Sequence, residues 1–465
     1  MRQVLRRTLP TLAVGMLLAG CSTTTVVGTA SPGAGEPTDV SAEEFPITGV
    51  SDSEVDQFAR NALADLETFW EAAYPEFFGE EYTPLAGGYF SVDSNNIDPA
   101  AYPDTGIGCA DEYIAPEEVA GNAFYTSGCD LVAYDRALIQ ELSDNYGRFL
   151  GPVVMAHELG HAMQGRFGGL DASQIIVETQ ADCLAGAWTR WVTDGNAEHV
   201  AIRVPELDDV VRGFLLLRDP VGSNPNDPSA HGSYFDRVSG FYAGFDGGVA
   251  SCRDDFGDDR LFTAASFDPE EYDNEGNAPY EDIVGWISDS LPVFYGTIFS
   301  SGLGREFQAP AVQAFDGTAP ECGDMGAEDR ELGYCESDTT VYYDQADLAL
   351  PAHDQIGDFA VGTAISLPYA LAARDQAELS TNDGDATRSA VCLTGWYTAQ
   401  WFNGAFTEQT GAEISPGDVD EAVIFLLEYG INPAVFPNVD SSGFELVGQF
   451  RSGFLQGGGA CNIGV

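Results

Sequence analysis

The chain of 465 residues contains no lysine. Its 19 basic residues are all arginine, against 74 acidic ones, for a formal net charge of −55. A surface of that sign excludes nucleic-acid backbone and anionic membrane surface as electrostatic partners. Histidine is scarce, with five residues in all, so a pair at ligand spacing stands out from chance. Beyond residue 18 no apolar run is long enough for a membrane span. Core material is plentiful: 44 % of residues are hydrophobic and 11 % aromatic, which excludes global disorder.

The beginning of the chain reads as an address. Arg2, Arg6 and Arg7 precede an apolar run from Leu9 to Leu18, then Leu18-Ala19-Gly20-Cys21. A basic start, a short apolar core and small residues before a cut describe a secretory signal over residues 1–20. Cys21 directly after Leu-Ala-Gly is similar to a bacterial lipobox, which implies lipidation there and anchoring at the outer face of the cytoplasmic membrane. The export route, Sec or twin-arginine, stays open. Residues 21–50, rich in Ser, Thr, Gly and Pro, are expected to form a flexible tether.

Setting Cys21 aside leaves eight cysteines, an even number that suggests disulfides in an exported protein. Cys183 and Cys252 are 69 residues apart, as are Cys392 and Cys461. The surroundings agree: Ala181-Asp-Cys-Leu-Ala-Gly186 reads against Ala390-Val-Cys-Leu-Thr-Gly395, and Phe241-Tyr-Ala-Gly-Phe245 against Phe450-Arg-Ser-Gly-Phe454. Such self-similarity predicts a tandem duplication, with halves over 51–257 and 268–465 joined by an acidic linker, 258–267. It predicts the pairs Cys109–Cys129, Cys183–Cys252, Cys322–Cys335 and Cys392–Cys461.

Apolar spacing predicts helices over 54–72, 136–142, 147–166, 173–193, 206–218 and 232–243, and short strands at Tyr89–Val92 and Asp130–Tyr134. The expected class is helix-rich α+β with a small sheet.

One motif carries chemistry. His157-Glu158-Leu159-Gly160-His161 lies in an apolar helical stretch. Four residues rise about 6 Å and slightly exceed one turn, so both imidazoles share a face and can hold one metal ion. With so few histidines, chance gives on the order of 0.004 such motifs in a chain of this length. Glu158 is placed to act on water as general base. Zinc needs a third protein ligand and an open position for catalysis. Glu178, on the next predicted helix, is the expected third ligand. Asp182, one turn on, is expected to accept a hydrogen bond from a ligand histidine; an exchange of the two roles stays open. His231 is the leading donor to a developing oxyanion, with Tyr234 second. His199 and His353 are read as solvated.

Aligning Leu150-Gly151 with Ile356-Gly357 sets Thr363, Ala364 and Leu367 opposite His157, Glu158 and His161. Thr387 then faces Glu178, Val391 faces Asp182 and Asp440 faces His231. The second half is thus expected to be non-catalytic, bracing the first or shaping its cleft.

The first half resembles a bacterial neutral zinc metallopeptidase family. The resemblance rests on the HExGH motif followed by Gln164, on Glu178 to Trp188, and on His231 to Arg237, within about residues 115–245. Where that family often has a further histidine after the motif, this chain has Ala162. The resemblance implies a zincin-like fold, one zinc per chain and a peptide or protein substrate. The alternative is a non-catalytic envelope lipoprotein whose metal is structural and which binds a protein partner. Oligomeric state and substrate are not legible in the sequence.

Overall fold

The structure, a computed structural model, describes residues 36–464 apart from 111, 204–205, 323–324, 327–328 and 437–440. Cys21, the leader and Asp440 lie outside the described residues.

The first long helix, α1 (Glu54–Phe78), starts where the Ser53 side chain accepts the Asp56 N–H, and ends at Gly79 in the left-handed conformation. It buries Leu63, Leu66, Phe69 and Trp70. Strands β1 (Gly88–Val92), β2 (Ala123–Thr126) and β3 (Leu131–Asp135) form a sheet in the order β1-β3-β2, with β1 parallel and β2 antiparallel to the central β3. Asp135 ends β3 and caps α2 (Arg136–Tyr146). Then follow α3 (Leu150–Phe167), α4 (Gln174–Thr193), α5 (Glu206–Leu217) and α6 (Tyr234–Asp254). Helices α3 and α4 run back along each other. Gly160 lies against Ala181, and Gln164 Nε2 donates to the Val177 carbonyl at 2.7 Å. Helices α4 and α6 approach through glycine: a Cβ on Gly186 would meet the Phe241 carbonyl oxygen at 2.0 Å, and one on Gly244 the Cys183 oxygen at 1.7 Å.

The second part of the chain repeats this order. Helix α7 (Tyr280–Ile298) precedes β4 (Ala311–Phe315), β5 (Leu332–Cys335) and β6 (Thr340–Asp344), ordered β4-β6-β5 with the same parallel and antiparallel pairings. A turn and short helix over 345–355 lead to α8 (Asp358–Gln376), α9 (Gly384–Phe402), α10 (Asp418–Glu428) and α11 (Gly443–Gln456). The strands β2 and β5, β3 and β6, and the ends of α3 and α8 and of α4 and α9 all differ by 209 positions. Contacts repeat at the same interval. Cβ atoms on Gly395 and Gly453 would meet the oxygens of Phe450 and Cys392 at 2.0 and 1.8 Å. Gln180 donates to the Cys252 carbonyl at 2.8 Å and Ser389 to that of Cys461 at 2.6 Å.

This register corrects the expected pairing of α3 with α8. Ser366, Leu367 and Ala370 stand opposite His157, Glu158 and His161, rather than Thr363, Ala364 and Leu367. The reason is local. Gly151 lies inside the first turn of α3, whereas Gly357 precedes α8 as its cap, so the two glycines are not equivalent.

The described residues fold as one compact unit, and its two parts exchange caps. Asp208 on α5 accepts the N–H groups of Gly443 and Phe444, at 2.9 and 2.7 Å, at the start of α11. Asp420 on α10 accepts those of Tyr234 and Phe235, at 3.0 and 2.8 Å, at the start of α6. Each carboxylate satisfies orphan donors and faces the positive end of a helix in the other part. Tyr242 stacks on Phe444 at 4.4 Å between ring centroids.

The folded body begins earlier than the expected tether allows. Val40 and Ile47 are buried, and Thr48 bridges to Phe90 beside β1. The stretch expected as a linker also packs down: Asp236 accepts the N–H groups of Thr263 and Ala264 at 2.7 and 2.9 Å. The eight cysteines pair as Cys109–Cys129, Cys183–Cys252, Cys322–Cys335 and Cys392–Cys461. Four disulfides mark an exported protein. Among the described residues no helix is long and apolar enough to cross a membrane.

Candidate metal centre

His157 and His161 project from α3 at one-turn spacing, toward Glu178 on α4. The two Nε2 atoms are 3.0 Å apart. Glu178 Oε2 lies 3.2 Å from His157 Nε2, and Oε1 lies 3.6 Å from His161 Nε2. Three donors on one tetrahedral ion at about 2.0–2.1 Å stand about 3.3 Å apart; here one donor atom from each of the three residues lies within 4.8 Å of the others.

The outer nitrogens decide what the inner ones can do. His157 Nδ1 is 2.9 Å from Asp182 Oδ1, and His161 Nδ1 is 2.8 Å from Gln164 Oε1. Both partners are acceptors, so each Nδ1 carries a hydrogen, and each ring, once neutral, would turn an Nε2 lone pair inward. Two lone pairs and a carboxylate then converge in a buried space, a donor set that fits a cation. Gln164 is aimed in turn, its Nε2 donating to the Val177 carbonyl and, at 2.9 Å, to Gln180 Oε1. Arg237 on α6 forks onto Asp182 with contacts of 2.6 and 2.7 Å, and both side chains are buried.

Charge follows this geometry. Burial alone would lower the pKa of His157, but Asp182 and Glu178 outweigh it and lift the value to about 10. His161, buried and next to His157, falls to about 4. Burial opposes the charge of Glu178, yet the imidazoles and Arg237 hold its carboxyl well below the usual range. The ion-free cluster thus keeps one proton, on His157, in the place of a cation.

Glu158 lies near enough to this cluster to feel the charges of His157 and Glu178. Its Oε2 accepts the Tyr125 N–H at 2.9 Å. Tyr125 lies on β2, an edge strand of the sheet, so the strand fixes the carboxylate. Burial is the main cause that raises the Glu158 pKa, to about 7.

The remaining candidates fall elsewhere. His231 sits in the loop before α6, its side chain 45 % exposed and its Nδ1 3.4 Å from Asp219. That loop passes Ile175, three residues ahead of Glu178, but no hydrogen bond or ion pair joins His231 to the donor triad. Tyr234, the second expected donor, is fully buried and gives its hydroxyl to the Val211 carbonyl at 2.9 Å; it is a core residue. His199 and His353 are half-buried rather than solvated. Their rings bond the carbonyls of Thr38 and Ala278 at 2.7 and 2.9 Å. Reading the sequence assigned no role to Arg237, Tyr125 or Gln164. The one available signal was position: Gln164 comes three residues after His161, and Arg237 ends the His231 segment.

In the other part of the chain a cavity of about 290 Å³ is lined by Tyr334, Leu371, Asp375 and Thr387. These stand 209 positions after Tyr125, Ala162, Arg166 and Glu178. At the position 209 after Glu178 this cavity has Thr387, and Ser366 and Ala370 stand at the same interval after His157 and His161. Asp182 and Arg237 are replaced by Val391 and Leu446, both 0 % exposed.

No family model matches the chain, and no solved structure matches it. It is similar to uncharacterized proteins of Mycobacterium bovis and of two strains of Mycobacterium tuberculosis, each 27 % identical over 179 residues. The similarity covers 33 % of this chain and 58 % of each relative, so the chain spans less than two thirds of the curated relatives it matches.

Proposed function

We propose that this protein is a zinc-dependent peptidase, exported and held by lipid at Cys21 to the outer face of the cytoplasmic membrane. The observation that carries the reading is the convergence of His157 Nε2, His161 Nε2 and the Glu178 carboxylate, with a separately held carboxylate, Glu158, close enough to feel their charges. A purely structural site has no use for that fourth group. His157, His161 and Glu178 would hold the ion. Bound there with an open position, zinc would supply Lewis acidity toward a peptide carbonyl and acidify a water molecule.

The chain's own residues do the rest. Glu158 takes the proton from the attacking water and delivers it to the departing amine. Its raised pKa suits both steps, because a group near neutrality can accept and return a proton. Asp182 holds His157 in the tautomer that presents Nε2, and Arg237 holds Asp182. The edge strand β2 offers an extended substrate a place to lie beside Glu158. His231 is the candidate donor to the oxyanion.

We read the two parts of the chain as a duplication whose second copy lost its ligands and retained its scaffold. The repeated sheet order and glycine contacts support that reading. Cleavage of a proteome-derived peptide library tests the activity. The reading expects cleavage by the purified protein, its loss on chelation and its return with zinc. Intact peptides under all three conditions would overturn it.

A further inference from the structure

A second buried acidic cluster lies in the other part of the chain, at the starts of α8 and α10. Asp358, Asp418 and Glu421 are 3 %, 5 % and 8 % exposed, and one oxygen from each lies within 4.8 Å of the others. Each carboxylate spends one oxygen on a backbone N–H. Asp358 Oδ2 accepts from Ala278 at 2.8 Å, Asp418 Oδ2 from Ser415 at 2.9 Å, and Glu421 Oε2 from Phe359 at 2.8 Å. The other oxygens of both aspartates, Asp358 Oδ1 and Asp418 Oδ1, are buried without an N–H or hydroxyl donor, and the Asp358 and Glu421 carboxyls lie close enough to hydrogen-bond once one of them is protonated. Buried acceptors without partners are uncommon, and two in one carboxylate cluster call for a cation.

The first half shows what is missing. Helices α5 and α10 begin 212 positions apart, and Asp208 and Asp420 perform the same cross-capping at that interval. On this register Asp418 corresponds to Glu206 and Glu421 to Asp209. Glu206 pairs with Arg203 at 3.1 Å, and Asp209 with Arg212 at 3.6 Å. The counterparts of those arginines are Ser415 and Ile424. The acids are retained and the bases are gone.

We propose that Asp358, Asp418 and Glu421 bind a divalent oxygen-seeking cation of the calcium class. The donors are all oxygen, with no imidazole or thiolate, a set that favours a hard cation over zinc. A cavity of about 280 Å³, lined by Asp358, Asp418, Glu271, Ser415, Trp286 and Trp401, borders the cluster and leaves room for water ligands. Burial, followed for Asp418 and Glu421 by the charge of Asp358, pushes these carboxyls up in the ion-free protein; a cation restores their ionised forms. The bound ion would tie residue 278, ahead of α7, to α8 and α10. Because α10 also caps α6 through Asp420, the ion would brace the catalytic half from the non-catalytic one.

Terbium is a suitable probe, since Trp286 and Trp401 line the cavity and can sensitise its emission. The full chain, stripped with chelator and reloaded with one equivalent of zinc, is titrated with terbium and then with calcium, and its melting temperature is read with and without calcium. The expected result is sensitised emission displaced by calcium, and a higher melting temperature in calcium. The double variant Asp418→Asn, Glu421→Gln should lose both responses, keep its zinc content and melt no lower than the calcium-free wild type. Asp358→Asn alone should bind terbium at least tenfold more weakly. A wild type without either response would mean that protons, not a cation, neutralise the cluster. Unchanged responses in the variants would place the ion elsewhere on the acidic surface. Either outcome overturns the proposal, and both leave the zinc reading untouched.

Discussion

Replacing Arg237 by leucine should destabilise the ion-free protein by about 3–5 kcal/mol. The variant strands Asp182, 1 % exposed, without the guanidinium fork that neutralises it. The second part of the chain supplies the control. There the same two positions hold Val391 and Leu446 in an equally buried setting, so the scaffold accepts an apolar pair. The double variant Asp182→Val, Arg237→Leu should therefore recover stability to within about 1 kcal/mol of wild type or exceed it, as when a buried ion pair is replaced by packing residues. Zinc should tell the opposite story. With no acceptor on Nδ1, His157 loses its fixed tautomer, and zinc affinity should fall about 10- to 100-fold in the double variant. Urea denaturation of chelated protein with intact disulfides gives the stabilities, and a competitive zinc titration gives the affinities. If the double variant is as unstable as the single one, the comparison between the two parts of the chain is wrong. If it binds zinc like wild type, Asp182 does not support the metal site.

Other expectations follow from the same structure. Between the His161 value of about 4 and the His157 value of about 10, zinc must displace one proton, so its Kd should rise about tenfold per pH unit lowered; a pH-independent Kd would contradict the assigned ligands. Glu158 works as a base only when ionised, so kcat/KM should fall with decreasing pH on a limb at about 7 or, with the ion's charge beside it, lower; a profile rising toward acid pH would exclude it. Removing Cys183–Cys252, whose residues are 69 apart, should cost about 4 kcal/mol by the loop-entropy model, read as the loss in urea stability of the double alanine variant. Gly244→Ala and Gly453→Ala would each force a Cβ to within 1.8 Å or less of a backbone oxygen. Both should destabilise by about 3 kcal/mol or more, and equal tolerance at either site would deny the close helix approach.

The helices before residue 254 were legible in the sequence because apolar residues recur at helical spacing, and the motif stood out because histidine is rare. The two helices expected to carry His157, His161, Glu178 and Asp182 are present, and these four side chains come together. What escaped was either short or remote. Strand β2 has four residues, too few for a period, although it positions Glu158. Arg237 reaches Asp182 across 55 positions, a contact that no local pattern reveals. The tether was drawn too long because Val40, Phe45, Ile47 and Val50 are unevenly spaced among polar and small residues, and uneven spacing carries no periodicity. The pairing of α3 with α8 slipped by three positions because a glycine inside a helix was matched to a glycine that caps one. The correction moves the comparison to Ser366, Leu367 and Ala370, none of them a histidine or a carboxylate.

The most direct measurement of the central claim is zinc content and cleavage of an unfolded protein substrate, taken side by side for wild type and Glu158→Gln. One zinc per chain in both, with cleavage by the wild type alone, is the predicted result. A metal-free wild type, or equal cleavage by the two proteins, would contradict it.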